Sequence, residues 1–488
     1  MKNNQLKKPL FDTLIEYGLK SNVTPFDVPG HKMGKGIHQE FIDSVGENIF
    51  KIDINSMREL DNLSNPVGVI KEAEMLSAEL FETDNAFFLV NGSTSGVQNM
   101  IMSAVNPGDK IILPRNIHKS AINGLILSGA NPVYIHPFID KTVGISMGVS
   151  QNDVIKAIDN NLDAKAILIL HPTYYGFTSN LEEIIKYAHS KGIAVLVDES
   201  HGTHFYFNDK FPEASMKLGA DMATLSVHKT GGSLTQSSLL LHNDGIISRD
   251  KVRSVINIMQ TSSASYLLLA SLDIARYNLA TNIDMFDNMI ELSIYARNEI
   301  NKIDNLSCVD ESSLNGDEAF EMDITKLIIN VSKLGITGFE AYNILKKEYN
   351  IQLEVGESRI ILAIISVGDS YDSINKLINA LKVLADKYHP VNPEFVKCAN
   401  ISHPEVIMTP REAFFLESTL IDLDDAVGSI AGDQIMIYPP GIPLVVPGEL
   451  ISEKIVEDFK FLLKYNNQVV GPVMKNGTIK IKVLKEGI

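Results

Sequence analysis

The chain has 488 residues, 45% hydrophobic and 21% charged, enough for two or three globular domains with a substantial buried core. A formal net charge of −17 argues against a non-specific nucleic-acid binder, which needs a basic face, and no apolar run approaches membrane-spanning length. Two cysteines, Cys308 and Cys398, exclude a disulfide framework, and no apolar signal core follows the basic start, so the chain reads as cytoplasmic.

From about Asn85 to Leu241, short apolar runs alternate with amphipathic segments. Ala86–Val90, Lys110–Leu113, Pro132–Ile135 and Ala166–Leu170 read as strands, as do the runs ending at Val197 and Leu225. Helical spacing fills the gaps at Gly96–Ala104, Lys119–Leu127, Asp153–Ile158 and Asn180–His189, the last with Asn180 as N-cap and Glu182 and Glu183 in its first turn. This order predicts an α/β domain with a mostly parallel sheet covered on both faces. Such folds bind ligands at the carboxyl ends of their strands, where Asn91, Arg115, His171, Asp198 and Ser226 stand.

Beyond a helical region from Tyr266 to Lys302 the pattern changes. Leu327–Val331, Ile351–Val355 and Ile360–Ile365 read as strands, with helices at Gly338–Lys347 and Ser373–Ala385, which suits a smaller α+β domain. His389-Pro390-Val391-Asn392-Pro393 reads as a linker. The expected division is a major domain at 1–285, a small α+β domain at 286–390 and a C-terminal domain at 391–488.

Two strand ends carry the chemistry. One delivers Asp198-Glu199-Ser200-His201-Gly202, and a later one delivers Ser226-Val227-His228-Lys229-Thr230. An acid after one strand and a lysine after another is what pyridoxal 5′-phosphate (PLP) requires. The amine holds the cofactor aldehyde as a Schiff base, and the acid keeps the pyridine nitrogen protonated so that the ring draws in electrons. A lysine after a strand is by itself most often a solvated charge. The upstream loop Asn91-Gly92-Ser93-Thr94-Ser95-Gly96 changes that balance. Its glycines let the backbone approach an anion, its hydroxyls add donors, and a helix N-terminus follows. The loop lacks a Walker lysine and a G-x-G-x-x-G pattern. His118 opens the next strand-end segment, where an aromatic face for the ring belongs, and His228 is placed to deliver a proton. His201 and His204 are three apart on non-helical sequence, a poor zinc pattern, and no metal is expected.

These motifs, with Val28-Pro29-Gly30-His31-Lys32, Glu59-Leu60-Asp61-Asn62-Leu63, His171-Pro172-Thr173-Tyr174-Tyr175-Gly176 and Tyr438-Pro439-Pro440-Gly441-Ile442-Pro443, resemble the Orn/Lys/Arg decarboxylase family over almost the whole chain. The resemblance is to its shorter branch, without a receiver-like wing domain. It implies a PLP fold-type-I, aspartate-aminotransferase-like major domain, with Lys229 as the Schiff-base residue and Asp198 at the pyridinium nitrogen. By the same resemblance Ser93, Thr94 and Ser226 bind phosphate, His118 stacks on the ring, and Ser200 and His201 lie beside it. Thr261 and Ser262 match a loop that reaches a neighbouring subunit's phosphate, which implies at least a homodimer; Ala264 stands there where the family usually has proline. Gly428-Ser429-Ile430-Ala431-Gly432-Asp433 also departs from the family's Gly-Arg-Ile-Ser-Ala-Glu.

The expected reaction is decarboxylation of a basic amino acid for polyamine synthesis: arginine to agmatine first, with lysine and ornithine as alternatives. Asp433, Glu417 and Glu449 are candidate partners for the substrate's distal cation, with a structural role as the alternative for Glu449 because it follows a Pro-Gly turn. An aminotransferase, with Arg359 as a carboxylate clamp, and a PLP-binding regulatory protein without turnover are the rival readings.

Overall fold

The computed structural model describes residues 3–388, 403–437, 441–464, 469–475 and 478–485. The expected linker at His389–Pro393 lies outside the described residues, as do Cys398, Tyr438, Pro439 and Pro440. The chain forms two compact units. One comprises Met1–Ser103, Ala194–Asp209 and Glu213–Asp287; the other comprises Ala104–Ile193, Lys210–Pro212 and Asn288–Ile488.

The strands that matter for the site are, in chain order, β1 (Asn85–Leu89), β2 (Lys110–Pro114), β3 (Asn131–Ile135), β4 (Ala166–Leu170), β5 (Ala194–Asp198), β6 (Met222–Leu225) and β7 (Ser238–His242). In the first unit they lie in the order β1-β7-β6-β5. β5 and β6 are parallel, with Asp198 opposite Thr224, while β7 runs antiparallel to both of its neighbours. In the second unit β4, β2 and β3 are parallel. The fold class is therefore α/β with mostly parallel strands, as the alternating pattern predicts. Every residue of β5, β6 and β7 is buried. That burial explains why β5 and β6 read as apolar runs rather than as alternating ones; β7 is not among the expected strands.

The helix Gly92–Ala104 starts directly after β1. Gly92 takes a φ of +68°, a left-handed conformation that glycine adopts without strain, and its N–H donates to the Gln236 carbonyl. Gly96 lets this helix sit close to β6, since a Cβ there would lie 2.0 Å from Thr224 Oγ1. A second helix, Val69–Leu80, is anchored by a side chain outside it. Asp61 accepts hydrogen bonds from the backbone N–H groups of Val67, Gly68, Ile70 and Lys71, placing its negative charge at the positive end of the helix.

The helical region expected from Tyr266 to Lys302 is two helices, Tyr266–Thr281 and Asp284–Ile300. The strand expected at Ile351–Val355 is reduced to Val355–Gly356. With Ile360–Ile364, Lys326–Asn330 and Ser307–Cys308 it forms a four-stranded antiparallel sheet. The C-terminal part gathers Phe459, Ile455, Ile451, Ile481 and Val483 in a core that Phe339 of the helix Gly338–Tyr349 also joins.

Replacing Gly96 by Ala is expected to lower stability by about 1–3 kcal/mol through overpacking against Thr224. Denaturant midpoints would show it. Thr224→Ala in the same chain should recover part of the loss, and a fully additive double variant would refute the contact as its cause.

Candidate active site

All but one of the site residues expected from the motifs belong to the first unit. Asp198 closes β5 and is only 9% exposed. Ser200 donates to its Oδ1 through both its hydroxyl and its N–H. No lysine, arginine or histidine of the described residues pairs with this carboxylate. A buried carboxylate without a cation is costly, so the geometry asks for a positive group from a ligand.

Beyond β6 the chain turns into the short helix Val227–Thr230, which carries His228 and Lys229. Lys229 Nζ lies 2.9 Å from His201 Nε2, so an ammonium there donates to an imidazole nitrogen that carries no proton. His228 Nδ1 donates to the Ser237 carbonyl at 2.9 Å. Burial holds His228 below the ordinary histidine range, with the Ser237 carbonyl opposing the shift and Lys229 reinforcing it.

Ser226 donates to Ser93 Oγ at 2.8 Å, which joins the end of β6 to the N-terminus of the helix Gly92–Ala104. Ser93 and Ser95 are buried and Thr94 is exposed. The hydroxyls here, together with the N-terminus of the helix Gly92–Ala104, offer donors to an anion. Thr261 and Ser262, just before the helix at Tyr266, are exposed. His118 belongs to the second unit. It caps the helix Lys119–Ser128, its Nδ1 accepting from the Ser120 N–H at 3.2 Å.

Sequence reasoning overlooked Glu199, Tyr206 and Ser215. Glu199 is fully buried, and its carboxylate accepts from the Ser215 N–H at 2.8 Å, the Ser215 hydroxyl at 2.7 Å and the Tyr206 hydroxyl at 2.7 Å. Burial raises this carboxyl to about 7 against those hydrogen bonds, with a smaller push from Asp198. An acid immediately after the strand-end aspartate was the available signal, but its partners are distant in sequence.

The carboxylates expected near a substrate cation fare differently. Glu449 is 1% exposed and bound in a bidentate ion pair, accepting from Arg115 Nε at 2.9 Å and Nη2 at 2.7 Å. It also accepts from the Val446 N–H. This corrects the expectation that Glu449 serves the substrate, because both its oxygens are engaged within the protein. Glu417 is an exposed partner of Lys485 at 2.6 Å, and Asp433 Oδ1 accepts from the Gln434 N–H. Arg359, the rival clamp, donates to the carbonyls of Lys141 and Thr142.

Comparison with known proteins identifies the family. Residues 8–373 match the Orn/Lys/Arg decarboxylase major domain, and residues 394–473 match the C-terminal domain of the same family. The chain belongs to the Orn/Lys/Arg decarboxylase family. It is 43% identical to an arginine decarboxylase of Halalkalibacterium halodurans and 40% identical to one of Bacillus subtilis, each alignment covering 99% of both chains. An inducible lysine decarboxylase of Escherichia coli is 24% identical, over 99% of this chain and 82% of its own. Among solved structures, the Francisella novicida lysine decarboxylase LdcF aligns with a TM-score of 0.85 and 23% identity, over 99% of this chain and 82% of its own. Sphingomonas wittichii serine palmitoyltransferase aligns at 0.52 and 16% identity, over 65% of this chain and 76% of its own. The fold is the one that the motif order implied.

The raised Glu199 carboxyl has a measurable consequence. Folding holds a proton that the unfolded chain releases above its ordinary value of 4.5, so stability falls as pH rises from there to about 7. The loss is expected to be on the order of 1–3 kcal/mol. Glu199→Gln should flatten this part of the stability–pH curve, and an unchanged slope in chemical denaturation would refute the assignment.

Proposed function

We propose that the chain is a cytoplasmic, PLP-dependent arginine decarboxylase that forms agmatine and carbon dioxide and works as a homodimer. The observation that carries the cofactor reading is the buried Asp198 carboxylate, paired with no cation among the described residues, at the end of the strand paired with the one that leads to Lys229. Similarity to arginine decarboxylases along the full chain carries the substrate.

The residues present fit PLP. Asp198 would hold its ring nitrogen, Lys229 its aldehyde carbon, and Ser93, Thr94, Ser95 and Ser226 its phosphate, with Ser200 and His201 beside the ring. By family resemblance His118 stacks on the ring, and Thr261 and Ser262 complete the phosphate site of a second copy. When bound, the cofactor acts as the electron sink for the bond to the carboxylate carbon.

The chain's own groups do the rest. The Asp198 carboxylate would accept from the ring nitrogen, and Ser200, donating to Oδ1, holds the carboxylate in place for that contact. The contact of the Lys229 amine with His201 Nε2 orients it for the aldehyde carbon that it would hold. His228 has Nδ1–H committed to the Ser237 carbonyl, so any proton it passes to the substrate's Cα moves at Nε2. Held neutral by burial, it gives up such a proton readily once charged.

Asp198→Asn should fold and retain cofactor but lose at least about 100-fold in kcat, equivalent to about 2.7 kcal/mol of transition-state stabilisation. A loss under about threefold would refute the role. Mixing this variant with a chain substituted at both Thr261 and Ser262 should recover activity if the site is shared between copies. No recovery despite proven heterodimers would sink the shared site.

Substrate choice is decided by competition. With arginine, lysine and ornithine at equal concentration, agmatine should dominate the products. Dominant cadaverine or putrescine would overturn arginine and leave decarboxylation standing, whereas release of no carbon dioxide would remove the enzyme class as well.

A further inference from the structure

Glu199 takes no part in the chemistry outlined above, yet it is among the most constrained groups in the first unit. It directly follows Asp198, the chain there leaves β5, and successive side chains on an extended strand point to opposite sides. Its main chain is tied as well: its N–H donates to the Thr224 carbonyl of β6 at 3.1 Å, and its carbonyl accepts from the Gly202 N–H at 2.9 Å. Its side chain gathers two later points of the loop, Tyr206 and Ser215, both buried. Between Glu199 and Tyr206 lie Ser200, which donates to Asp198, and His201, which meets Lys229. One carboxylate thus fastens the segment that presents both Asp198 and His201.

The groups around Glu199 are unusual for a structural anchor. Its three donors are neutral, and no lysine or arginine of the described residues pairs with it. The charged and titratable groups facing it are Asp198 and Tyr206; Lys217 reaches only the Tyr206 carbonyl and is shared with Glu82 and Glu213. Two of the three donors are hydroxyls, which also accept when the carboxyl carries a proton. The hydrogen-bond pattern therefore survives either protonation state of Glu199, so the segment is held across neutral pH.

We propose that Glu199 is a positioning residue for the reaction, fixing the Asp198–His201 segment through Tyr206 and Ser215 and thereby setting the ring-nitrogen acid and the partner of Lys229. The inference rests on PLP occupying this site. Geometry of this kind acts on cofactor orientation and on the chemical step, not on recognition of the far end of a substrate.

The test uses the holoenzyme and reads the cofactor separately from turnover. Glu199→Ala removes all three hydrogen bonds and should raise the PLP dissociation constant at least about tenfold, alter the induced circular dichroism of the bound cofactor, and lower kcat by about 10–100-fold with KM within about twofold. Glu199→Gln keeps an acceptor for Ser215 N–H and an amide that the hydroxyls accept, so it should restore all of these to within about threefold. A Glu199→Ala protein with a lower melting temperature but wild-type cofactor affinity, dichroism and kcat would overturn the proposal and leave Glu199 a purely structural group. Should Glu199→Ala fail to fold, Tyr206→Phe and Ser215→Ala decide. Each removes hydroxyl support and should shift the dichroism in the same direction, while wild-type spectra in both would overturn the proposal. If wild-type protein shows no lysine-linked PLP band at all, the cofactor reading fails and takes this inference with it.

Discussion

The structure around the candidate site turns on the buried carboxylate of Asp198 at the end of β5. Asp198 is held by Ser200 and meets no cation among the described residues. In an apolar surround that arrangement is unfavourable unless a positive group is supplied or the carboxyl takes a proton. Its neighbour Glu199 faces the same constraint and resolves it differently, with three neutral donors and a proton affinity raised to near neutrality. Adjacent carboxyls in a dry strand end thus have separate fates. Asp198 is left with Ser200 as its side-chain partner and no cation among the described residues, and Glu199 is absorbed into the loop that follows it.

Strand pairing makes this placement reproducible. β5 and β6 run parallel with Asp198 opposite Thr224, so the acid and the Ser226–Thr230 segment emerge at the same edge. Thr224 is tied in twice more: its carbonyl receives the Glu199 N–H, and its side chain sets how near the helix at Gly92 comes to β6. The Ser226–Ser93 hydrogen bond follows from that approach. A bulkier residue at position 96 would push the turn that carries Ser93 away from Ser226, so a glycine sets the spacing of the two hydroxyls.

Much of this was legible in the sequence because parallel strands buried on both faces write themselves as apolar runs, and ligand-binding residues follow their carboxyl ends. β2, β4 and β5 lie within one residue of their expected bounds, and Asn180 is the N-cap it was read to be. What was not legible depended on distant partners. β7 lies between β1 and β6 although it comes last of the three in the chain, and local pattern carries no record of that insertion. The division of the Tyr266–Lys302 helical region occurs around Asn282, with no proline to announce it. Glu199 read as part of a motif, since only the folded loop brings Tyr206 and Ser215 to it. Glu449 looked available until Arg115, more than three hundred residues earlier, took both its oxygens.

That last pair bears on substrate recognition. A guanidinium presents a planar fork of donors, and a carboxylate that meets it squarely uses both oxygens. Arg115 and Glu449 already form this arrangement in a buried setting, with the Pro443 carbonyl accepting from the same guanidinium. The pair is therefore a fixed part of the second unit, and breaking it for a substrate would strand a buried arginine at a cost of about 3–5 kcal/mol. A second guanidinium could not meet the same two oxygens in a bidentate fork. The choice of arginine over shorter ammonium substrates must therefore come from acceptors not already saturated inside the chain, and net negative charge adds little to it. Overall charge favours any cation alike, whereas discrimination needs a site whose acceptors are left unpaired by the wrong one.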